Sequence, residues 1–250
     1  MTRFHIAALG AALVAASALA FRSLTLLMLS ALALFVVMTL GAFIPRLSLF
    51  GRFICYGSCV KRRVALTFDD GPDEISTSAV LDFLRNQNLK AAFFCIGRRV
   101  TASPAVVARI AREGHLLGNH SYNHPNLINF FSVARLRDEM RQTQSAIRSA
   151  AGEAPAMYRP PMGLSNPRTF RAARAESLQV IGWTARGFDT RTKSPQRVVS
   201  RIARRLRPGA IILLHDGGIP AERLLATLQL LLDTLRSECY EVVRLDELLR

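Results

Sequence analysis

The stretch VALTFDDGPD, residues 64–73, sets an apolar run against two adjacent carboxylates, Asp69 and Asp70. Residues 64–68 have the length and the β-branched and aromatic content of a buried strand. A charge carried into such surroundings is costly unless it is paired or bound to a metal. The two carboxylates therefore stand either in a solvated turn, for which Asp-Asp-Gly-Pro has suitable residue types, or at a site that uses them.

Outward from this stretch, residues 91–96, 178–184, 210–214 and 240–244 read as further strands, with shorter ones near 115–117 and 156–159. Between them Ser103-Pro104, Asn166-Pro167 and Ser194-Pro195 each pair an N-cap residue with a proline at the first helical position. Gly114 and Gly152 stand where helix C-terminal glycines belong. Helices are expected over 103–113, 132–151, 166–177, 194–206 and 220–237. Such alternation predicts an α/β fold, with parallel strands wrapped by helices as an open sheet or a barrel. Sites in either form collect at the C-terminal ends of the strands. Asp69, Asp70, Arg159 and His215 all stand at such ends.

The N-terminal region is of another kind. Residues 4–21 are apolar with His5 as the one ionisable side chain, Arg22 and Ser23 break the run, and 24–44 are apolar again. No acidic residue precedes Asp69. One continuous helix would be on the order of 60 Å long, about twice the hydrocarbon thickness of a bilayer, so the region must fold back or be cut. The first expectation is a transmembrane helical hairpin turning at Arg22, with residues 1–60 as anchor and basic juxtamembrane linker and 61–250 as the catalytic domain. The alternative is a signal peptide cleaved near Ala18-Leu19-Ala20, followed by a stop-transfer helix. Arg46, Arg52, Lys61, Arg62 and Arg63 follow the second segment. They favour a cytoplasmic face for the domain at the inner membrane. A third arrangement keeps the first segment out of the bilayer and sends the domain outward.

The formal charge of +15 comes from 33 basic and 18 acidic residues. For a tethered domain, lipid headgroups or a phosphate-bearing lipid are nearer anionic partners than nucleic acid, for which no readout motif is present. Four cysteines in 250 residues do not make a disulfide framework. Cys95 and Cys239 fall in apolar runs and are expected to be buried. Cys55 and Cys59 lack further metal-ligand partners nearby in sequence.

His120 and His124 form an HxxxH pair. On a helical turn both imidazoles would share one face, which suits a divalent metal, although a plain surface pair has the same spacing. Asp70 could complete a ligand set that leaves positions open for water and substrate. Asp69 would then serve as general base and His215 as general acid. The opening pair of aspartates would in that case divide two jobs.

The motifs TFDDGP (67–72), HSYNH (120–124), RPPMG (159–163) and LLHD (213–216) together resemble those of the polysaccharide deacetylases, the NodB-homology or carbohydrate esterase 4 family. The resemblance runs over nearly all of 63–250. It implies a distorted (β/α) barrel holding a divalent metal, zinc first, with cobalt, nickel or manganese as alternatives, and removing an acyl group from an N-acylated amino sugar. By position it makes Asp70, His120 and His124 the metal ligands, Asp69 the base, His215 the acid and Arg159 the residue that orients the base. It also makes the Met162 N–H an oxyanion donor and Leu213 a wall of the acyl pocket. A further motif, usually two acids and a tryptophan, is altered: Asp189 keeps the acid that orients His215, but Arg186 replaces the other acid and Thr190 the tryptophan. Trp183 is expected in the core. The expected substrate is a cell-envelope glycan or a polyprenyl-phosphate-linked amino sugar. Deformylation of such a sugar, or a silent barrel that only binds glycan or scaffolds, stand as alternatives.

Overall fold

The computed structural model describes residues 3–20, 22–44 and 47–250. Arg46, counted above among the basic residues after the second apolar segment, lies outside them. The elements are α1 (Arg3–Ala20), α2 (Leu24–Phe43), β1 (Arg63–Asp69), α3 (Ser76–Asn86), β2 (Ala92–Cys95), α4 (Gly97–Ala102), α5 (Pro104–Arg112), β3 (Leu116–Asn119), α6 (Val133–Ala151), β4 (Met157–Tyr158), α7 (Pro167–Ala175), β5 (Gln179–Val180), β6 (Ala185–Arg186), α8 (Pro195–Ala203), β7 (Ala210–His215), α9 (Ala221–Ser237), β8 (Glu241–Val242) and α10 (Leu245–Leu248).

The strands pair in parallel in the order β5-β4-β3-β2-β1-β7-β6, and β8 pairs with the start of β1. β1 is central and buried on both faces, as the unbroken apolar run 64–68 requires. Its alternate residues serve two cores. Val64, Leu66 and Phe68 pack outward with helix residues such as Leu81, Ile110, Val198 and Leu228, whereas Ala65 packs inward with Ala92, Phe94 and Ile211. Phe68 and Phe93 stack at 5.1 Å between centroids in the outer core.

The sheet curls without joining its edge strands. Residues 53–57 lie across the gap: Ile54 bridges Ile181 and Tyr56 bridges Ala210. Thr184 Oγ1 donates to the Cys55 carbonyl at 2.5 Å, and Gly182 N–H donates to the Ile54 carbonyl at 2.7 Å. The result is the distorted, partly open (β/α) barrel expected for the NodB-homology type.

Local signals act largely as read. Ser132, Asn166 and Ser194 accept from helix N–H groups, and Gly152 ends α6 at φ 87°. Ser103 differs, because its hydroxyl donates to Glu74 and makes no cap for α5. Other expectations need correction. Of the strand expected at 178–184 only Gln179–Val180 forms, and after residues 181–184 a separate short strand, Ala185–Arg186, follows. The helix Ser76–Asn86 was not anticipated. Its first N–H groups are served by Asp73 Oδ1, upstream of a cap position occupied by Ile75. Cys239 is exposed, at the positive-φ end of the turn after α9, whereas Cys95 is buried.

Helices α1 and α2 lie against each other. Among the described residues only α2 is long and apolar enough to cross a membrane, and its Leu32, Phe35 and Phe43 are exposed. Phe50 meets both, through the ring of Phe4 and beside Gly41.

Phe93→Ala is expected to cost about 3–5 kcal/mol. Denaturant unfolding of the full chain in detergent measures it; a loss under about 1 kcal/mol would show that the stacked pair does not hold the outer core.

Candidate active site

The site forms where β1, β3, β4 and β7 end. Asp69 is the last residue of β1 and pairs in register with His215, the last of β7, so the sheet itself sets these two side by side. Asp70 follows at φ 72°, and this left-handed turn points the second carboxylate away from the first. Gly71 is held there by space: a Cβ would stand 2.3 Å from the Asp216 carboxylate.

The expected helical turn at 120–124 is absent. His120 follows β3 directly, and the loop is shaped by positive φ at Ser121 and His124. Glu139 of α6 holds it, accepting from Tyr122 N–H, Asn123 N–H and Asn123 Nδ2 at 2.8–2.9 Å. The two imidazoles still converge, with ring centroids 4.9 Å apart. His120 Nδ1 donates to the Arg159 carbonyl at 2.7 Å, which fixes the tautomer and leaves Nε2 as a lone-pair donor.

His120 Nε2 and His124 Nε2 each lie 3.4 Å from Asp70 Oδ1. These separations are long for hydrogen bonds, and Asp70 Oδ1 is buried without a hydrogen-bond partner. One ligand atom from each residue falls within 4.8 Å of the others. Two imidazole nitrogens, one of them on a ring of fixed tautomer, and a carboxylate whose buried oxygen has no hydrogen-bond partner fit a divalent cation. Burial opposes ionisation of Asp70, but His120, with His215 and His124 behind it, outweighs burial and holds the carboxyl well below its usual range. Burial depresses both imidazoles; Asp69 and Asp70 overcome this at His120, whereas the neighbouring His120 adds to it at His124.

Asp69 is gripped by Arg159, whose Nη1 donates to Oδ1 at 2.7 Å in a fully buried ion pair. Arg159 also donates to Thr67 Oγ1 at 2.9 Å and to the Gly182 carbonyl at 2.8 Å, and lies over the ring of Phe94. Asp189 receives His215 twice, from the backbone N–H at 2.8 Å and from Nδ1 at 2.9 Å. Burial disfavours the His215 cation, but Asp189 dominates and pushes its pKa up to about 9.

Met162 sits in the turn Pro161–Gly163 at φ 58° and is exposed, while Leu213 is buried on β7. Trp183 is half-buried: it packs on the inner core and also against Gly163, where a Cβ would meet its ring at 1.9 Å. It therefore borders the site as well as the core. Asp69, Asp70, His120, His124, Arg159, Asp189 and His215 are thus joined by direct contacts in this one region. The sequence reading passed over Thr67, Glu139 and Asp216. Asp216, adjacent to His215, accepts from Thr77 Oγ1 at 2.6 Å, and burial pushes its pKa up to about 7. The signal for it was the acid inside LLHD. The remaining histidine of the barrel, His115, is structural: its Nδ1 accepts from Ala91 N–H, and burial lowers its pKa to about 4. The largest cavity described, about 1060 Å³, lies elsewhere, between the segment 50–57 and α7.

The chain matches the family model of polysaccharide deacetylases over residues 57–181. It is similar to a peptidoglycan-N-acetylglucosamine deacetylase of Bacillus cereus, 34% identical over 189 residues that cover 75% of this chain and 88% of that protein. It is similar also to a chitooligosaccharide deacetylase of a Bradyrhizobium species, 38% identical, covering 64% and 74% respectively. Some curated relatives are longer, and the match spans 39% of a peptidoglycan deacetylase from Listeria monocytogenes. Among solved structures, a CE4 family pseudoenzyme from Bacillus anthracis superimposes with a TM-score of 0.73 at 27% identity, covering 80% of this chain and 69% of that one.

The His215 imidazole is expected to stay protonated through neutral pH and to lose its proton near about 9. In Asp189→Asn the acceptor charge is gone while burial remains, so the midpoint falls toward or below 6.5. Histidine NMR titration of the metal-free chain reads both; an unmoved midpoint would show that Asp189 does not hold the proton.

Proposed function

The chain belongs to the polysaccharide deacetylase family, and from that premise we propose that it is a metal-dependent hydrolase removing an N-acetyl group from an amino-sugar glycan or its lipid-linked precursor. One observation carries the reading: three donors that could hold a metal ion lie beside two separately oriented titratable groups, Asp69 held by Arg159 and His215 held by Asp189. The similar proteins are named for N-acetylglucosamine in peptidoglycan and for chitooligosaccharide, which supports an N-acetylated amino sugar as substrate.

Asp70, His120 and His124 would hold the ion, which when bound supplies Lewis acidity toward the amide carbonyl and toward water. Asp69 takes a proton from the attacking water; Arg159 fixes one of its oxygens and leaves the other for this task. The Met162 N–H donates in this reading to the carbonyl oxygen as it gains charge. His215, protonated at neutral pH, gives its proton to the departing nitrogen as the C–N bond breaks, yielding acetate and the free amine. Leu213 lines the space for the acyl methyl.

A silent barrel is a documented outcome for this fold, since the B. anthracis protein is named a pseudoenzyme. The complete set of donors, base and acid here favours catalysis. For the N-terminus we propose that α2 spans the membrane with α1 beside it, putting the barrel on the cytoplasmic side; the exposed apolar faces of both helices support insertion, and the basic residues after α2 support the orientation. Anionic lipid would then be a neighbour of the basic surface, and a polyprenyl-phosphate-linked sugar an accessible substrate.

Release of free amine from N-acetylglucosamine oligomers should cease in chelator and return with Zn²⁺. Asp70→Asn should lose the metal, whereas Asp69→Asn should keep it and lose turnover by about 10²–10⁴-fold. Full activity in chelator would end the reading, and equal metal loss in both variants would reverse the two roles.

A reporter fused after Arg250 should behave as cytoplasmic, and deleting residues 4–21 should invert it. A signal from the far side in the full chain would overturn the orientation.

A further inference from the structure

The rim of the barrel carries a cation that the reaction described above does not use. Arg186 ends β6 and stands in register with Leu213 of β7. Along β7, Ile211, Leu213 and His215 alternate onto one face, the one shared by Thr67 and Asp69 across the strand pair. Ala185, one residue earlier, packs with Ile212 in the outer core. Arg186 is therefore on the interior face, two positions along the neighbouring strand from His215, and it emerges at the open end of the barrel, where it is exposed.

Its guanidinium is held by two rings, 4.2 Å from the centroid of Phe188 and 5.3 Å from that of Trp183. Stacking fixes the plane of the fork and leaves its N–H edge free for a bidentate acceptor. Trp183 packs in turn on Gly163, so that ring also borders the Met162 turn. No acid is paired with Arg186 among the described residues. The nearest acid in sequence, Asp189, has both oxygens committed to His215. Burial together with Arg191 and Arg205 lowers the Arg186 pKa, marking a local excess of positive charge. Phe188 takes a left-handed backbone, φ 58°, to sit there, a conformation seldom adopted by aromatic residues.

We propose that Arg186, clamped between Trp183 and Phe188 at the mouth of the barrel, binds an oxyanion, a carboxylate or a phosphate, that the substrate carries beside its N-acyl group. The identity of the ligand as a substrate rests on the deacetylase reading; the anion site does not. The preferred substrate is then an acidic or phosphorylated amino sugar, and neutral oligomers are poorer ones.

Trp183 is the one tryptophan of the chain, so its fluorescence reports on this position without reference to activity. The zinc-loaded full chain in detergent is titrated with inorganic phosphate, N-acetylglucosamine 1-phosphate, N-acetylmuramic acid and neutral N-acetylglucosamine. The anionic probes should change the emission at lower concentration than the neutral sugar, and in Arg186→Gln their midpoints should rise about tenfold. Arg186→Lys should recover part of the loss. In parallel, the ratio of kcat/KM for acidic over neutral sugar should fall about tenfold in Arg186→Gln and further in Arg186→Glu. The phosphate and carboxylate arms show which oxyanion is preferred. Equal midpoints in wild type and Arg186→Gln would overturn the site. A lost fluorescence response with an unchanged kcat/KM ratio would overturn its role toward substrate, leaving an adventitious ion only. If no N-acyl sugar is hydrolysed while the titrations behave as expected, the deacetylase reading falls and the anion site stands.

Discussion

The buried ion pair of Arg159 and Asp69 is the constraint on which the site is built. Removing a guanidinium and a carboxylate from water costs several kcal/mol per ion, and their attraction offsets this only with good geometry and further hydrogen bonds. Arg159 has these: besides Asp69 it donates to Thr67 and to the Gly182 carbonyl, and it lies over Phe94. One side chain thus joins β1, β2 and the loop after β5. Its own carbonyl accepts from His120, so the residue that anchors the Asp69 carboxylate at one end fixes the tautomer of an imidazole beside Asp70 at the other. Removing either charge would leave its partner buried and uncompensated, at about 3–5 kcal/mol.

From that anchor the local backbone follows. The chain must place Asp69 against Arg159 and Asp70 toward two imidazoles within a single peptide step, which strand geometry alone would do only by sending the second side chain to the outer face. A left-handed residue at Asp70 resolves this, and the same device recurs at Ser121, His124, Met162 and Phe188. Five of the ten non-glycine residues with positive φ among the described residues therefore belong to loops of this one region. Backbone strain of order 1–3 kcal/mol at each such position persists only where surrounding contacts over-determine it. Glu139 supplies such contacts under the histidine loop, and Asp216 fills the space under Gly71.

The parts legible in the sequence are those governed by local physics. The long buried strands β1 and β7 announce themselves by unbroken apolar runs, and α6, α7 and α8 by caps and prolines. The two-residue strands β4, β5 and β8 fall inside the stretches 156–159, 178–184 and 240–244 that read as strands but are much shorter than those runs, and β6 begins just beyond the second of them, because the curl of the sheet limits how far they pair. Helix α3 escaped notice because its cap comes from Asp73, displaced from the usual position by Ile75. The HxxxH spacing picks out two imidazoles that do converge, but for a wrong reason: the loop, not a helical face, brings them together. Motif order picks out residues that the structure brings together as a candidate site, whereas Glu139, seventeen residues beyond Tyr122, is reachable only through the fold.

The barrel also reaches further toward the N-terminus than its motifs suggest. Residues 53–57 follow the apolar helices in sequence, yet they close the gap between the edge strands, and Ile54 holds Gly182 through its carbonyl. Gly182 in turn accepts from Arg159 Nη2, and Arg159 grips Asp69. Steric fit enforces the path, since a Cβ on Gly182 would meet Cys55 Sγ at 2.7 Å and Phe53 at 2.9 Å. A continuous chain of contacts therefore runs from Ile54 to the carboxylate that is proposed to activate water. The sequence motifs begin only at Thr67, because the closing segment acts chiefly through backbone groups, which leave little mark on side-chain pattern. As a packed unit the barrel starts at Phe53, and the segment from there is coupled to the floor of the site through Ile54, Gly182 and Arg159.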